Sequence, residues 1–144
     1  MVAIVRPDSW NFPLFLHVLG AMALVGAVAA LILLAAASRD RPWLRRIAFR
    51  TMLVAVIPAW LLMRVAGQWL DSKEDIPGDP GWLGVGFIVG DAGVLFLLLA
   101  TIFAWIGARR SDRRWPAQTV AVLAAIYLIA LLVAMFAMTG KPGS

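Results

Sequence analysis

Four long apolar stretches limit the fold of this 144-residue chain more than any other feature of its sequence. They cover residues 13–37, 48–70, 82–108 and 116–139. Each is longer than the roughly 20 residues that an α-helix needs to cross a hydrocarbon core of about 30 Å. Because the backbone in lipid must satisfy its own hydrogen bonds, the stretches predict four membrane-spanning helices rather than open strands.

The composition supports a single membrane domain. Hydrophobic residues make up 62% of the chain and charged residues 15%, and a domain this small has too little interior to hide so much apolar surface from water. The sequence therefore predicts one all-α transmembrane domain over residues 1–144, an antiparallel four-helix bundle with short linkers that is surrounded by the lipid bilayer.

The arginines indicate how the bundle is oriented. Segment 71–79 has a single lysine and no arginine. Five arginines lie in or just after the first linker and four lie around the third: Arg39, Arg41, Arg45, Arg46 and Arg50, then Arg109, Arg110, Arg113 and Arg114. By the positive-inside rule, loops 38–47 and 108–115 are cytoplasmic and both termini lie outside. Because the net charge of +5 sits beside apolar spans, it predicts membrane orientation and no nucleic-acid partner.

No catalytic template is present in the sequence. The chain has one histidine and no cysteine, which excludes thiolate chemistry and cysteine-based metal sites. It also lacks a phosphate-binding loop and an HExxH motif, and the spans contain no pair of carboxylates. The sequence therefore assigns no catalytic residue and favours a non-enzymatic role.

Four polar side chains interrupt the apolar spans: His17, Arg64, Gln68 and Asp91. At about 1.5 Å per residue, His17 lies about 6 Å, Arg64 about 10 Å and Asp91 about 13 Å from the outer end of its span. Since an unpaired charge at such depth is costly, we expect one buried polar cluster in the outer half of the membrane. Arg64 and Asp91 form its predicted ion pair, with His17 and Gln68 as hydrogen-bonding neighbours.

This cluster has several possible roles. The Arg64–Asp91 pair is a structural clasp between helices, part of a binding or ion-handling site, or absent because Arg64 extends to the outer headgroups. His17 is a hydrogen-bonded member of the cluster, a haem or metal ligand, or a proton-exchanging group. The sequence leaves these alternatives open.

Two further features of the second span bear on the cluster. Trp60 lies four residues before Arg64 and eight before Gln68, so it predicts either a cation–π contact with Arg64 or a core side chain. Pro58 lies within the same span and predicts a kink that frees the carbonyl near Val54.

The third span contains a short packing motif. Gly86 and Gly90 form a GxxxG pattern, which favours close approach of another helix within the bundle or in a dimer.

The run Leu-Phe-Leu-His-Val-Leu-Gly-Ala-Met at 14–22 resembles the first helix of CopD-like copper-resistance membrane proteins. Segments 71–93 and 137–142 resemble uncharacterised small bacterial four-helix membrane proteins. The resemblance implies a multi-pass protein of the bacterial cytoplasmic (inner) membrane, with His17 as the position of interest. Because the chain has no second histidine, bis-histidine haem ligation within one protomer is excluded, and a copper role would rest on His17 with methionines such as Met22 and Met63.

Together these features favour a non-enzymatic integral membrane protein whose cluster of His17, Arg64, Gln68 and Asp91, with Trp60 beside it, is a clasp or an outward-facing site for a small ligand or ion. No cofactor is predicted from the residues. The alternatives are a redox-associated protein that binds haem or copper through His17, and an accessory subunit of a larger membrane complex. A homodimer is compatible with each of them.

Overall fold

The computed structural model describes residues 8–74, 81–110 and 112–140, and within these ranges all regular structure is helical. A short 3-10 turn at Asp8–Trp10 precedes the first helix. The helices are α1 (Asn11–Ala37), α2 (Leu44–Thr51), α3 (Ile57–Glu74), α4 (Gly81–Arg109) and α5 (Trp115–Gly140). The ends of the chain, predicted to lie on the outer side of the membrane, and residues 75–80 lie outside the described residues.

Four helical segments in the described part of the chain are long and apolar enough to cross a membrane. The helices α1, α4 and α5 supply three of them. The fourth, Leu44–Lys73, is a continuous span made of α2, a π-helical turn at Met52–Val56, and α3. The predicted all-helical chain with four spans is confirmed, and it is consistent with an integral membrane protein.

The second span begins earlier than the sequence predicted. Its first helix starts at Leu44 rather than at residue 48, so the end of the predicted loop 38–47 is helical. Leu44, Ala48 and Met52 are all buried at intervals of four residues. This apolar stripe continues the packed face of the span toward the first linker. The arginines that lie between its members made this stretch look like a loop in the sequence.

The π-helical turn lies where the sequence predicted a disturbance. The Ile57 N–H donates to the Met52 carbonyl, five residues back. Pro58 follows directly and has no N–H to give to the Val54 carbonyl. The wider turn thus accommodates the missing hydrogen bond within a span that otherwise stays helical.

The helices pack unequally around one apolar core. The first helix runs along α3 and α5, and α4 runs along α5, whereas α3 and α4 touch only sparsely. Fully buried core residues include Leu24, Val28, Leu31, Met52, Val56, Ala100 and Ala124. His17 of α1 contacts Met63 of α3 near one end of the bundle, which we call the His17 end. The continuous core includes neither His17 nor Arg64.

Gly20 allows α1 and α3 to approach at backbone distance. A Cβ atom on Gly20 would lie 2.5 Å from the Met63 nitrogen and 2.8 Å from its Cα. Neither atom belongs to a side chain that can rotate away, so only glycine fits this crossing. The contact sets the height at which His17, three residues earlier, meets α3.

The GxxxG pattern of α4 does not form a helix–helix crossing of this kind. Gly86 lies against the Met138 side chain of α5, while Gly90 lies against the Arg64 side chain of α3. The two glycines therefore make room for long side chains of two different helices. For Gly90 the reason is geometric, because the sparse contact between α3 and α4 leaves a gap that the Arg64 side chain fills.

Candidate functional site

His17 is held by a hydrogen bond to the backbone of α3. Its Nδ1 atom lies 2.8 Å from the Met63 carbonyl oxygen. Because a carbonyl can only accept, Nδ1 carries the proton, and the Nε2 atom of a neutral ring is left as an acceptor. A Cβ atom on Gly67 would lie 2.8 Å from the same Nδ1, so glycine at that position lets the ring reach the carbonyl.

The Nε2 atom of His17 has no hydrogen-bond partner among residues 8–74, 81–110 and 112–140. His17 is half-buried and lines a cavity, described below. The ring therefore offers one oriented acceptor at the His17 end.

Arg64 joins α3 to α4 through its guanidinium group. Its Nη2 and Nε atoms lie 2.7 and 3.1 Å from Oδ1 of Asp91, and its Nη1 donates to Oε1 of Gln68 at 2.9 Å. The guanidinium carbon also lies 5.3 Å from the centre of the Phe87 ring, within cation–π range. Arg64, Gln68 and Asp91 thus form one hydrogen-bonded network, which we call the seam network.

The seam network is less enclosed than the sequence predicted. The Arg64 side chain is 25% exposed and that of Asp91 64%, so the carboxylate lies on the outer surface of the bundle and not in its interior. The cause is the sparse packing of α3 against α4, across which only the long arginine side chain reaches. His17 makes no hydrogen bond to the network and is linked to α3 through the Met63 backbone instead.

Trp60 does not stack under Arg64. Its Nε1 atom donates to the Gly90 carbonyl at 3.1 Å, and the ring packs against the core. The aromatic ring near Arg64 is Phe87, four residues before Asp91 on α4. Trp60 is therefore a second tie between α3 and α4, and the predicted cation–π role belongs to another residue.

A cavity of about 380 Å³ occupies the His17 end between α1, α3, α4 and α5. Its polar lining comes from His17, Arg64, Asp71 and Thr139, whereas Gln68 and Asp91 do not line it. The remaining walls are mainly apolar and rich in methionine: Leu14, Val18, Ala21, Met22, Met63, Gly67, Leu70, Trp82, Leu83, Gly86, Phe87, Gly90, Met135 and Met138. Two of the expected site residues, His17 and Arg64, thus line the same cavity.

Other residues at the His17 end escaped sequence reasoning. Phe87, Gly67 and Met138 look like ordinary membrane-helix residues, and no periodicity separates them from lipid-facing neighbours.

The burial of Arg45 was also not predicted. The sequence assigned this residue to a cytoplasmic loop, but its side chain is only 3% exposed. Its i, i+3 relation to the buried Ala48 was the one available signal.

The ligand set for a metal is small in the part of the chain that the structure describes. There, no group of three or more His, Cys, Asp or Glu side chains is close enough together to hold a metal ion. The imidazole and thioether donors that line the cavity are those of His17 and of Met22, Met63, Met135 and Met138.

Comparisons with known protein families, with curated proteins and with solved structures find no match to this chain.

Proposed function

We propose that this chain is a non-enzymatic membrane protein that binds a small amphipathic molecule in the cavity at the His17 end. The observation that carries the proposal is the cavity itself. It has the size and the mainly apolar lining, with few polar groups, that are typical of small-molecule sites.

The polar groups favour a ligand that carries a hydrogen-bond donor. Arg64 already pairs with Asp91 and Gln68, so its charge is balanced before any ligand enters. The acceptor at His17 Nε2 fits a hydroxyl or N–H group at the polar end of the ligand, while the apolar walls fit its hydrocarbon body.

Other features support an orientation of the bundle in the membrane and a depth for the cavity. Contacts such as His17 with Met63 and Gly86 with Met138 support an antiparallel bundle. The positive-inside rule then puts loops 38–47 and 108–115 in the cytoplasm, both termini outside, and the cavity in the outer half of the membrane. The resemblance of residues 14–22 to bacterial membrane proteins supports the bacterial inner membrane.

Within this function the seam network acts as a clasp. Arg64 holds α4 beside α3 across a gap that few other contacts bridge, and the Trp60 hydrogen bond to Gly90 supports it. The clasp fixes the width of the cavity, since Arg64 and Phe87 both line it.

A long-chain primary alcohol and the alkane of equal length distinguish the polar contact from simple partitioning. We expect the alcohol to raise the unfolding temperature of the purified protein more than the alkane does. In His17→Asn, the amide can keep the hydrogen bond to Met63 but lacks Nε2. Affinity for the alcohol should then fall about two- to tenfold, the value of one hydrogen bond. Thermal unfolding in detergent at increasing ligand concentration measures this.

The matched control is Phe136→Ala, which alters an exposed side chain of α5 outside the cavity lining. It should leave both responses unchanged. Equal responses to alcohol and alkane in the wild-type chain would remove His17 from the proposed site, and no response to either would contradict the proposed function.

A second candidate function rests on the geometry of His17. A metal-ligating histidine commonly donates its other ring N–H to a carbonyl, as His17 Nδ1 does to Met63. His17 Nε2 and a nearby thioether would then hold haem or copper, which would give the protein redox chemistry. Because the chain has one histidine, the second protein ligand would be a methionine such as Met22 or Met63.

For this second function, protein purified from haem-replete cells should show a Soret band that His17→Ala abolishes. Arg46→Ala, a change at an exposed arginine of α2, should keep the band. A copper form should instead show metal retained through gel filtration and lost in the same variant. Colourless, metal-free wild-type protein from such cells would contradict the candidate.

A further inference from the structure

The seam network leaves hydrogen-bonding groups unused. Both Arg64 contacts to Asp91 are to Oδ1, and within residues 8–74, 81–110 and 112–140 the Oδ2 atom accepts no hydrogen bond. Gln68 uses its Oε1 to accept from Arg64, so its Nε2 amide group points elsewhere and has no partner in the same ranges. The seam network therefore leaves one acceptor, Asp91 Oδ2, and one donor group, Gln68 Nε2, without a partner in these ranges.

These free groups lie at membrane depth. Helix α4 has 29 residues, about 43 Å at 1.5 Å per residue, and Asp91 lies about 15 Å from its first residue. A hydrocarbon core of about 30 Å therefore contains Asp91 when the helix extends beyond it at both ends. Lipid chains can neither donate to the carboxylate nor accept from the amide, so the exposed groups need a protein or water partner.

We propose that a second copy of this chain covers the network. The surface in question, which we call the seam face, consists of Leu61, Val65 and Gln68 of α3 with Ile88, Asp91 and Leu95 of α4. Their spacings are i, i+4, i+7 and i, i+3, i+7, so each set lies on one side of its helix. All six are exposed; Asp91 lies between the two apolar residues of α4, and Gln68 follows the two apolar residues of α3.

Symmetry is the reason to choose a second copy as the occupant. A two-fold axis along the membrane normal places every residue at the same depth as its counterpart, and the two copies use the same surface. Gln68 Nε2 of one copy then donates to Asp91 Oδ2 of the other, and the reverse pair forms at the same time. Because Arg64 and Asp91 already balance each other, the two networks meet without net charge repulsion.

The absence of cysteine makes this interface directly measurable. Ile88→Cys introduces a thiol on the seam face at a side chain that is 70% exposed. Phe136→Cys is the matched control on α5, at a side chain that is 73% exposed. Since Gly86 packs against Met138, the two positions lie at similar depth on different faces of the bundle.

Each single-cysteine protein is reconstituted in lipid vesicles and treated with a short thiol-specific cross-linker. We expect Ile88→Cys to give a covalent dimer of twice the 15.6 kDa chain, at several times the yield of Phe136→Cys. Adding Gln68→Leu to Ile88→Cys keeps the Arg64–Asp91 pair but removes two hydrogen bonds per dimer. Self-association measured by diluting the protein with lipid should then weaken about tenfold, because interhelical hydrogen bonds are individually modest.

Three outcomes would overturn the proposal. The first is equal cross-linking of both cysteine variants, which indicates random collision in the vesicle. The second is self-association that Gln68→Leu leaves unchanged, since the seam network then takes no part. In cell membranes, an adduct whose mass differs from twice that of the chain would show that another subunit, and not a second copy, occupies the seam face.

Discussion

Gly20→Ala should lower the stability of the protein markedly, although the change adds a single methyl group. The new Cβ would meet the Met63 nitrogen at 2.5 Å, so α1 and α3 must move apart along their main contact. Overpacking of this kind costs about 1–3 kcal/mol, and here the clash is with backbone that has no alternative rotamer. Gly20→Leu should prevent the bundle from forming. The midpoint of thermal loss of helical circular dichroism in detergent measures both effects.

Gly26→Ala is the control on the same helix. No atom lies within 4 Å of a Cβ at this position, so the methyl group has space. Because alanine is the better helix former by about 0.8–1.0 kcal/mol, the variant should match or exceed the wild-type midpoint. Equal losses in Gly20→Ala and Gly26→Ala would show that the α1–α3 crossing is looser than the structure describes.

Loss of one charge from the seam network should have the second large effect. In Asp91→Leu the Arg64 guanidinium keeps Gln68 and Phe87 as neighbours but loses its counter-charge. In Arg64→Leu the Asp91 carboxylate loses both of its donors. Each single variant should lose about 1–3 kcal/mol, the usual cost of leaving a hydrogen-bonding group without its partner. The double variant removes both charges and should recover most of that loss.

The wild type, the two single variants and the double variant form a double-mutant cycle. Their free energies of unfolding, measured for the monomer in detergent, give the coupling energy between Arg64 and Asp91. Asp112→Asn serves as the control, because Asp112 is an exposed acidic residue in the linker between α4 and α5, and it should not change stability. If the losses of the two single variants simply add in the double variant, Arg64 and Asp91 do not act as a pair.

The helical spans were predictable because they depend on local properties of the chain. Whether an apolar stretch is long enough to cross the hydrocarbon core depends on its own length and composition, and not on the helices that pack against it. The sequence therefore predicted α1, α4 and α5 to within one or two residues of their observed ends. It misplaced the start of the second span because Arg45 and Arg46 looked like loop residues, whereas Leu44, Ala48 and Met52 continue a packed stripe.

The polar residues were informative for a related reason. Charges inside apolar spans are costly, which predicted one cluster of His17, Arg64, Gln68 and Asp91. The structure joins the last three by hydrogen bonds and links His17 to the Met63 backbone instead. Their surroundings were not predictable. The aromatic neighbour of Arg64 is Phe87 rather than Trp60, and the Asp91 carboxylate lies outside the bundle because α3 and α4 diverge there.

By itself, the sequence determined that the chain forms four apolar helices and that its few intramembrane polar groups must find partners. Only the tertiary structure decided which faces of those helices touch, and hence the Gly20 crossing, the burial of Arg45 and the cavity beside His17. The physical reason is that lipid and protein interior are almost equally apolar. An exposed Phe15 and a buried Leu24 therefore look alike in sequence, and only the fit of side-chain shapes separates them.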